Sequence, residues 1–179
     1  MKTTKPASSK TGTEFRAGDY VVYPAHGVGK IDCIETQLIG GMDVSLYTIT
    51  FEKDRMRLKV PVMKAQTSGL RKLVTVDRLK DAIKTLKGRA RIRRTMWSRR
   101  AQEYELKINS GDPIAIAEVL RDLKRSAEDT EQSYSERQIY QSALERLARE
   151  LAAVQKIPEA QATEQIEQIM RGERKRLAA

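Results

Sequence analysis

The chain has 179 residues, 40% of them hydrophobic and 32% charged, with a formal net charge of +10; that is enough for one medium domain or two small ones, each with a modest core. No apolar run approaches the roughly 18 residues that span a bilayer, and the N-terminus MKTTKPASSKTGT lacks a signal-peptide-like apolar segment, so a cytoplasmic protein without membrane contact is expected. A single Cys and a single His exclude an intramolecular disulfide and a Cys-rich metal centre and leave little for imidazole catalysis, so neither metal nor cofactor is expected.

Residues 1–13 are mostly Lys, Thr, Ser, Gly and Pro without apolar periodicity, which reads as a disordered tail. From Phe15 the pattern changes to short strands. Tyr20 to Tyr23 and Gly29 to Glu35 are separated by Pro24 to Gly27; Gly40-Gly41 then marks a turn before Val44 to Phe51, and Lys53-Asp54 precedes Arg55 to Pro61. Four strands with tight turns and no intervening helix predict a small antiparallel β-barrel of the SH3 or Tudor kind over residues 14–68. In its last strand Met56, Leu58 and Val60 alternate with Arg55, Arg57 and Lys59, sending one set inward and the cationic set outward. In the preceding strand Tyr47, Ile49 and Phe51 form one set and Leu46, Thr48 and Thr50 the other, leaving a partly apolar outer face. Such a face fits docking, and it also fits a small barrel that cannot cover all its apolar surface.

Residues 69–76 are expected to be a linker, and 77–171 a compact helical domain of about five helices. Asp77 can cap a first helix to about Leu86, with Leu79, Ile83 and Leu86 on one side and Gly88 ending it. A second helix is expected from Thr95 to Asn109. Asp112-Pro113 opens a third, striped by Ile116, Val119, Leu120 and Leu123. Ser135 with Gln138 resembles a capping box for a long fourth helix to Lys156, along which Tyr140, Leu144, Leu147, Leu151 and Val154 recur. Pro158 begins a short fifth helix with Ala162, Ile166, Ile169 and Met170 inward, and residues 172–179 are expected to fray. The whole is an α+β protein in two domains.

The charge is concentrated in Lys84 to Arg100, KTLKGRARIRRTMWSRR, which supplies eight of the cations, no acid and the only Trp. A run this basic is either a solvated face or a site for a polyanion. Lys87, Arg89, Arg91, Arg93 and Arg94 lie at or between two predicted helices, and the planar arginine fork suits phosphate oxygens. Phosphate contacts position a protein without specifying sequence, so binding to a nucleic-acid backbone is the functional reading. Trp97 reads two ways. Helical spacing aligns it with Ala101, Tyr104 and Ile108, as a core residue would be; Arg99 and Arg100 beside it suit an indole that stacks on or wedges between bases. No Gly-rich phosphate loop or paired-His metal motif is present, so no enzyme is expected and no small-molecule substrate. A general nucleic-acid architectural or ribosome-associated protein is the alternative reading of the same pattern.

The segments FRAGDYVVYPAHGVGKIDCIET, MRLKVPV, MWSRRAQEYELKINSGDPIAIAEVLRDL and SYSERQIYQSALERLARELA together resemble the CarD/CdnL family of bacterial transcription regulators. The first is also similar to the polymerase-interacting module of the transcription-repair coupling factor. The resemblance covers about residues 14 to 170. It implies a Tudor-like N-terminal domain docked on the RNA polymerase β subunit and a helical domain touching promoter DNA at the upstream edge of the melted bubble. It further implies that Trp97 is a minor-groove wedge standing at the surface, followed by Arg99 and Arg100. Family positions that face polymerase fall on Gln37, Ile39, Lys59 and Pro61, with Arg57 in the same outer row. Some members carry Arg at the places of Gln37 and Lys59, and Lys where this chain has Gln102. The protein is expected to act as a monomer on the polymerase.

Overall fold

The computed structural model describes residues 15–91, 93–129 and 133–177; the tail expected over 1–13 lies outside them. The strands are β1 (Tyr20–Tyr23), β2 (Gly27–Ile39), β3 (Met42–Phe51), β4 (Met56–Pro61) and a two-residue β5 (Arg71–Lys72). They form one antiparallel sheet in the order β4-β3-β2-β1-β5, Tudor-like in class, in which β4 and β5 are edges that do not pair with each other. The hairpin between β2 and β3 closes through Gly40 and Gly41, both at positive φ, as a two-residue turn matched to strand twist requires. Against four expected strands the structure adds β5, and it lengthens β2 and β3 beyond their most apolar stretches because ladder hydrogen bonds continue out to Ile39↔Met42. The sheet is therefore not closed into the expected barrel, and its core is Val21, Ile31, Tyr47, Ile49, Phe51 and Val60 with their neighbours.

Five helices follow: α1 (Val76–Leu86), α2 (Trp97–Asn109), α3 (Pro113–Asp129), α4 (Tyr134–Gln155) and α5 (Glu159–Leu177). Most of the predicted stripes enter their common core: Leu79 and Leu86, the α3 set Ile116, Val119, Leu120 and Leu123, then Leu144, Leu147 and Leu151, and finally Ala162, Ile166 and Met170, while Tyr140, Val154 and Ile169 pack against it half-buried and Ile83 stays outside it. At three starts the cap differs from expectation. Thr75, extended, accepts from the Arg78 N–H and opens α1, so Asp77 sits inside the first turn. Met96 precedes α2, which begins at Trp97 rather than Thr95. Ser133 and Glu136 form the capping box of α4, displacing the Ser135/Gln138 pair by two residues. For α1 and α4 two nearby residues offer equivalent chemistry, and the one used is that whose backbone is extended, whereas Met96 makes no side-chain cap bond. Helix α5 is not short; it runs through Arg171 to Leu177.

The chain passes from sheet to helices through a stretch that is itself tethered. Leu70 is buried and Arg71-Lys72 pair with β1 as β5. The Arg71 guanidinium forks onto the buried Glu150 carboxylate of α4 at 2.7 and 3.0 Å, and also donates to the Gly111 carbonyl; Glu150 further accepts the Val74 N–H at 3.1 Å. Gly111, at φ +70°, leaves its would-be Cβ 3.2 Å from Pro24 Cα, so this turn tolerates a glycine and little else. Arg146 of α4 donates to the carbonyls of Pro24, at 2.6 Å, and Ala25, and burial lowers its pKa. Lys53 bridges Glu145 and Glu159 at 2.8 and 3.3 Å. Thus α4 carries the sheet domain on one flank and the helical core on the other.

Candidate nucleic-acid interface and docking face

The basic run divides into three structural settings. Lys87 caps the C-terminus of α1, where a cation suits the helix dipole. Arg89, Arg91, Arg93 and Arg94 are all exposed in the irregular segment between α1 and α2. Arg99 is exposed on the first turn of α2. Arg100 is different, with a side chain only 17% exposed that lies over the Trp97 ring (5.3 Å to the centroid) and 3.8 Å from Glu136. Its guanidinium therefore braces the indole, while the remaining arginines face outward.

Trp97 is half-buried, between the two sequence readings. One edge of the ring packs against the helical core near Tyr104, 6.4 Å between centroids. Its Nε1–H donates to Ser135 Oγ at 2.9 Å, at the start of α4. The expected full surface position is thus met in part, because helical periodicity turns the ring toward Tyr104 while its place on the first turn leaves the other edge at the rim. Met96 beside it is 79% exposed. Ser135, which fixes the ring, was read from sequence only as a capping residue of a separate helix, and Glu136, which holds the brace, was not singled out at all.

The second cluster lies on the sheet. Cross-strand partners share a face, so the pairs Gln37↔Val44, Ile39↔Met42, Thr48↔Lys59, Leu46↔Pro61 and Thr50↔Arg57 bring Gln37, Ile39, Lys59, Pro61 and Arg57 to one side of β2-β3-β4. Its centre is Glu35, missed in the sequence. Glu35 accepts from Lys59 Nζ at 3.0 Å, Gln37 Nε2 at 3.2 Å and Cys33 Sγ at 3.4 Å. The Lys59 hydrogen bond, followed by that of Cys33, holds its carboxyl below the usual range. Only strand register could have found this residue, since Glu35 and Lys59 are far apart in sequence. Arg57 stands out with a side chain 77% exposed, 4.0 Å from Asp32. At the hairpin end Leu38, Ile39 and Met42 are all more than half exposed, an apolar tip beside a polar network.

Among the described residues no group of His, Cys, Asp and Glu is arranged to hold a metal ion, and no helix is long and apolar enough to cross a membrane. Residues 15–74 match the CarD-like/TRCF RID domain family, and residues 81–167 match the CarD C-terminal domain family. The chain is similar to "Putative transcription factor YdeB" of Bacillus subtilis (strain 168), 30% identical over 147 residues that cover 82% of this chain and 96% of that protein. With a relative at that identity over most of both chains, and the two family domains in order, the chain belongs to the CarD-like family of transcription regulators that interact with RNA polymerase.

Proposed function

We propose that the protein docks through the Gln37/Ile39/Arg57/Lys59/Pro61 face on the polymerase β subunit and stabilises the open promoter complex. In this reading the helical domain meets DNA at the upstream edge of the bubble without sequence preference. Arg89, Arg91, Arg93, Arg94 and Arg99, with Lys87, touch phosphates, and Trp97 enters the minor groove. The observation that carries the reading is the setting of Trp97: an aromatic ring at the rim of a cationic segment, fixed by Ser135 on one side and Arg100 on the other. A preorganised ring loses little rotamer freedom on insertion, so more of its contact energy appears as binding.

Docking on polymerase raises the local concentration of the helical domain beside the promoter, so modest DNA affinity suffices. The bound protein shifts melting only by its differential affinity for open over closed DNA; a tenfold preference corresponds to about 1.4 kcal/mol. Trp97→Ala tests this, measured as the lifetime of polymerase–promoter open complexes after competitor challenge. The expected result is a shortened lifetime with polymerase binding intact; an unchanged lifetime refutes the wedge.

A further inference from the structure

The segment joining α1 to α2 presents four exposed arginines close together, and like charges at this density push the backbone apart. Its described residues form no helix or strand to resist that. What holds it is a side chain from another element: Asp122 of α3, 4% exposed, accepts the Arg91 backbone N–H at 2.9 Å. The same oxygen accepts Arg121 Nε, also at 2.9 Å. A buried carboxylate is costly unless its hydrogen bonds are made, and here the donors are a main-chain amide of the arginine segment and the guanidinium next to it in sequence.

The carboxylate helps to line a concave space of about 400 Å³ whose cations are Arg91, Arg93, Arg100, Lys107 and Arg121 and whose other acids are Glu103 and Glu118. Three of these cations are already matched: Lys107 with Glu118 at 2.7 Å, Arg121 with Asp122, and Arg100 with Glu136. Among the described residues Arg91 and Arg93 have no acidic partner and remain available to an anion. We infer that Asp122 is a positioning residue for DNA binding, pinning the arginine segment through the Arg91 amide so that Arg91 and Arg93 meet the phosphate backbone together. The inference rests on the DNA-binding reading above and deepens it.

It makes a prediction opposite in sign to charge counting. Asp122 is an anion inside a cationic patch, so removing it should tighten DNA binding if only the field matters. If Asp122 positions the segment, its loss should weaken binding. The experiment uses the full chain and a short duplex containing an unpaired bubble, with affinity measured across a salt series. Asp122→Ala is expected to weaken binding at about 0.1 M salt by about eightfold if one phosphate is no longer reached, and by about sixtyfold if two are not. The log–log salt slope should become shallower by about 0.9 for each such phosphate. Asp122→Asn, which keeps an acceptor oxygen but not the charge, is expected to recover most of the affinity, whereas charge counting makes the two variants equal.

A second pair of variants leaves the α3 core untouched. Arg91→Ala and Arg91→Pro remove the same charge, but only the proline also removes the N–H that Asp122 accepts, so Arg91→Pro should bind more weakly. Equal affinity of that pair, or tighter binding by Asp122→Ala, overturns the inference. The combined Arg89, Arg93 and Arg94 to Ala variant separates the two levels. If it binds DNA like the wild type, the DNA-binding reading fails and the positioning role with it. If it binds weakly while the Asp122 and Arg91 comparisons show no difference, the positioning role alone fails.

Discussion

Arg71→Ala should destabilise the protein by about 3 kcal/mol, far more than removal of a surface ion pair would. The guanidinium makes two charged hydrogen bonds to Glu150, at 2.7 and 3.0 Å, and one to the Gly111 carbonyl. The Glu150 side chain is 4% exposed and keeps only the Val74 N–H when Arg71 is truncated. Removing one partner of a buried pair typically costs about 3–5 kcal/mol, because the other charge is left without compensation. The Arg71 side chain is 30% exposed, so water can reach part of the vacated space, which sets the lower end of that range. With a urea m-value of about 2 kcal/mol/M, the unfolding midpoint should fall by about 1.5 M. Far-UV circular dichroism follows the helices and Trp97 fluorescence the helical domain. Replacing both Arg71 and Glu150 by Met should be milder than Arg71→Ala alone, since no orphan charge remains. A destabilisation below about 1 kcal/mol for Arg71→Ala would place this pair among exposed ones and refute the reasoning. The same variant should shorten open-complex lifetime, because the junction sets where Trp97 lies relative to the proposed docking face.

Three further outcomes follow from the geometry. Gly111→Ala should lower stability by about 1–3 kcal/mol, seen as a reduced Tm, because the added carbon meets Pro24 at a backbone held at φ +70°. Ser135→Ala removes the acceptor of the Trp97 indole N–H, so the anisotropy of the chain's sole Trp should fall while secondary structure is retained; unchanged anisotropy would show that packing alone holds the ring. Glu145 is held below its ordinary pKa of 4.5, chiefly by the Lys53 hydrogen bond. The stability this contributes is fully present above pH 4.5 and is lost as the pH falls through the lowered value. Lys53→Met should therefore reduce the acid-side fall in Tm, and an identical pH profile in both proteins would contradict the assignment.

Much of the fold was legible because it is local. Gly40-Gly41 admits the hairpin turn, Met56, Leu58 and Val60 alternate, and Ile116, Val119, Leu120 and Leu123 recur at helical spacing. Caps were legible only to within two residues. Thr75 and Asp77, or Ser133 and Ser135, offer similar oxygens, and the choice falls to the residue whose backbone is extended where the helix begins. Charged residues on helices were illegible. Asp122, Glu136, Arg146 and Glu150 look in sequence like solvated surface, yet each closes a contact with a segment far along the chain.

The amino-acid sequence by itself determined where the cation density lies, which residues alternate inward on the strands and which stripes form the helical core, because these depend on neighbours within a turn or a strand. Only the tertiary structure decided that Glu35 centres the polar network on the outer face of the sheet, that Arg100 braces an indole rather than reaching outward, and that Trp97 rests half-buried against Ser135. Those outcomes depend on strand register and helix packing, which bring together side chains whose separation in sequence carries no periodic signal.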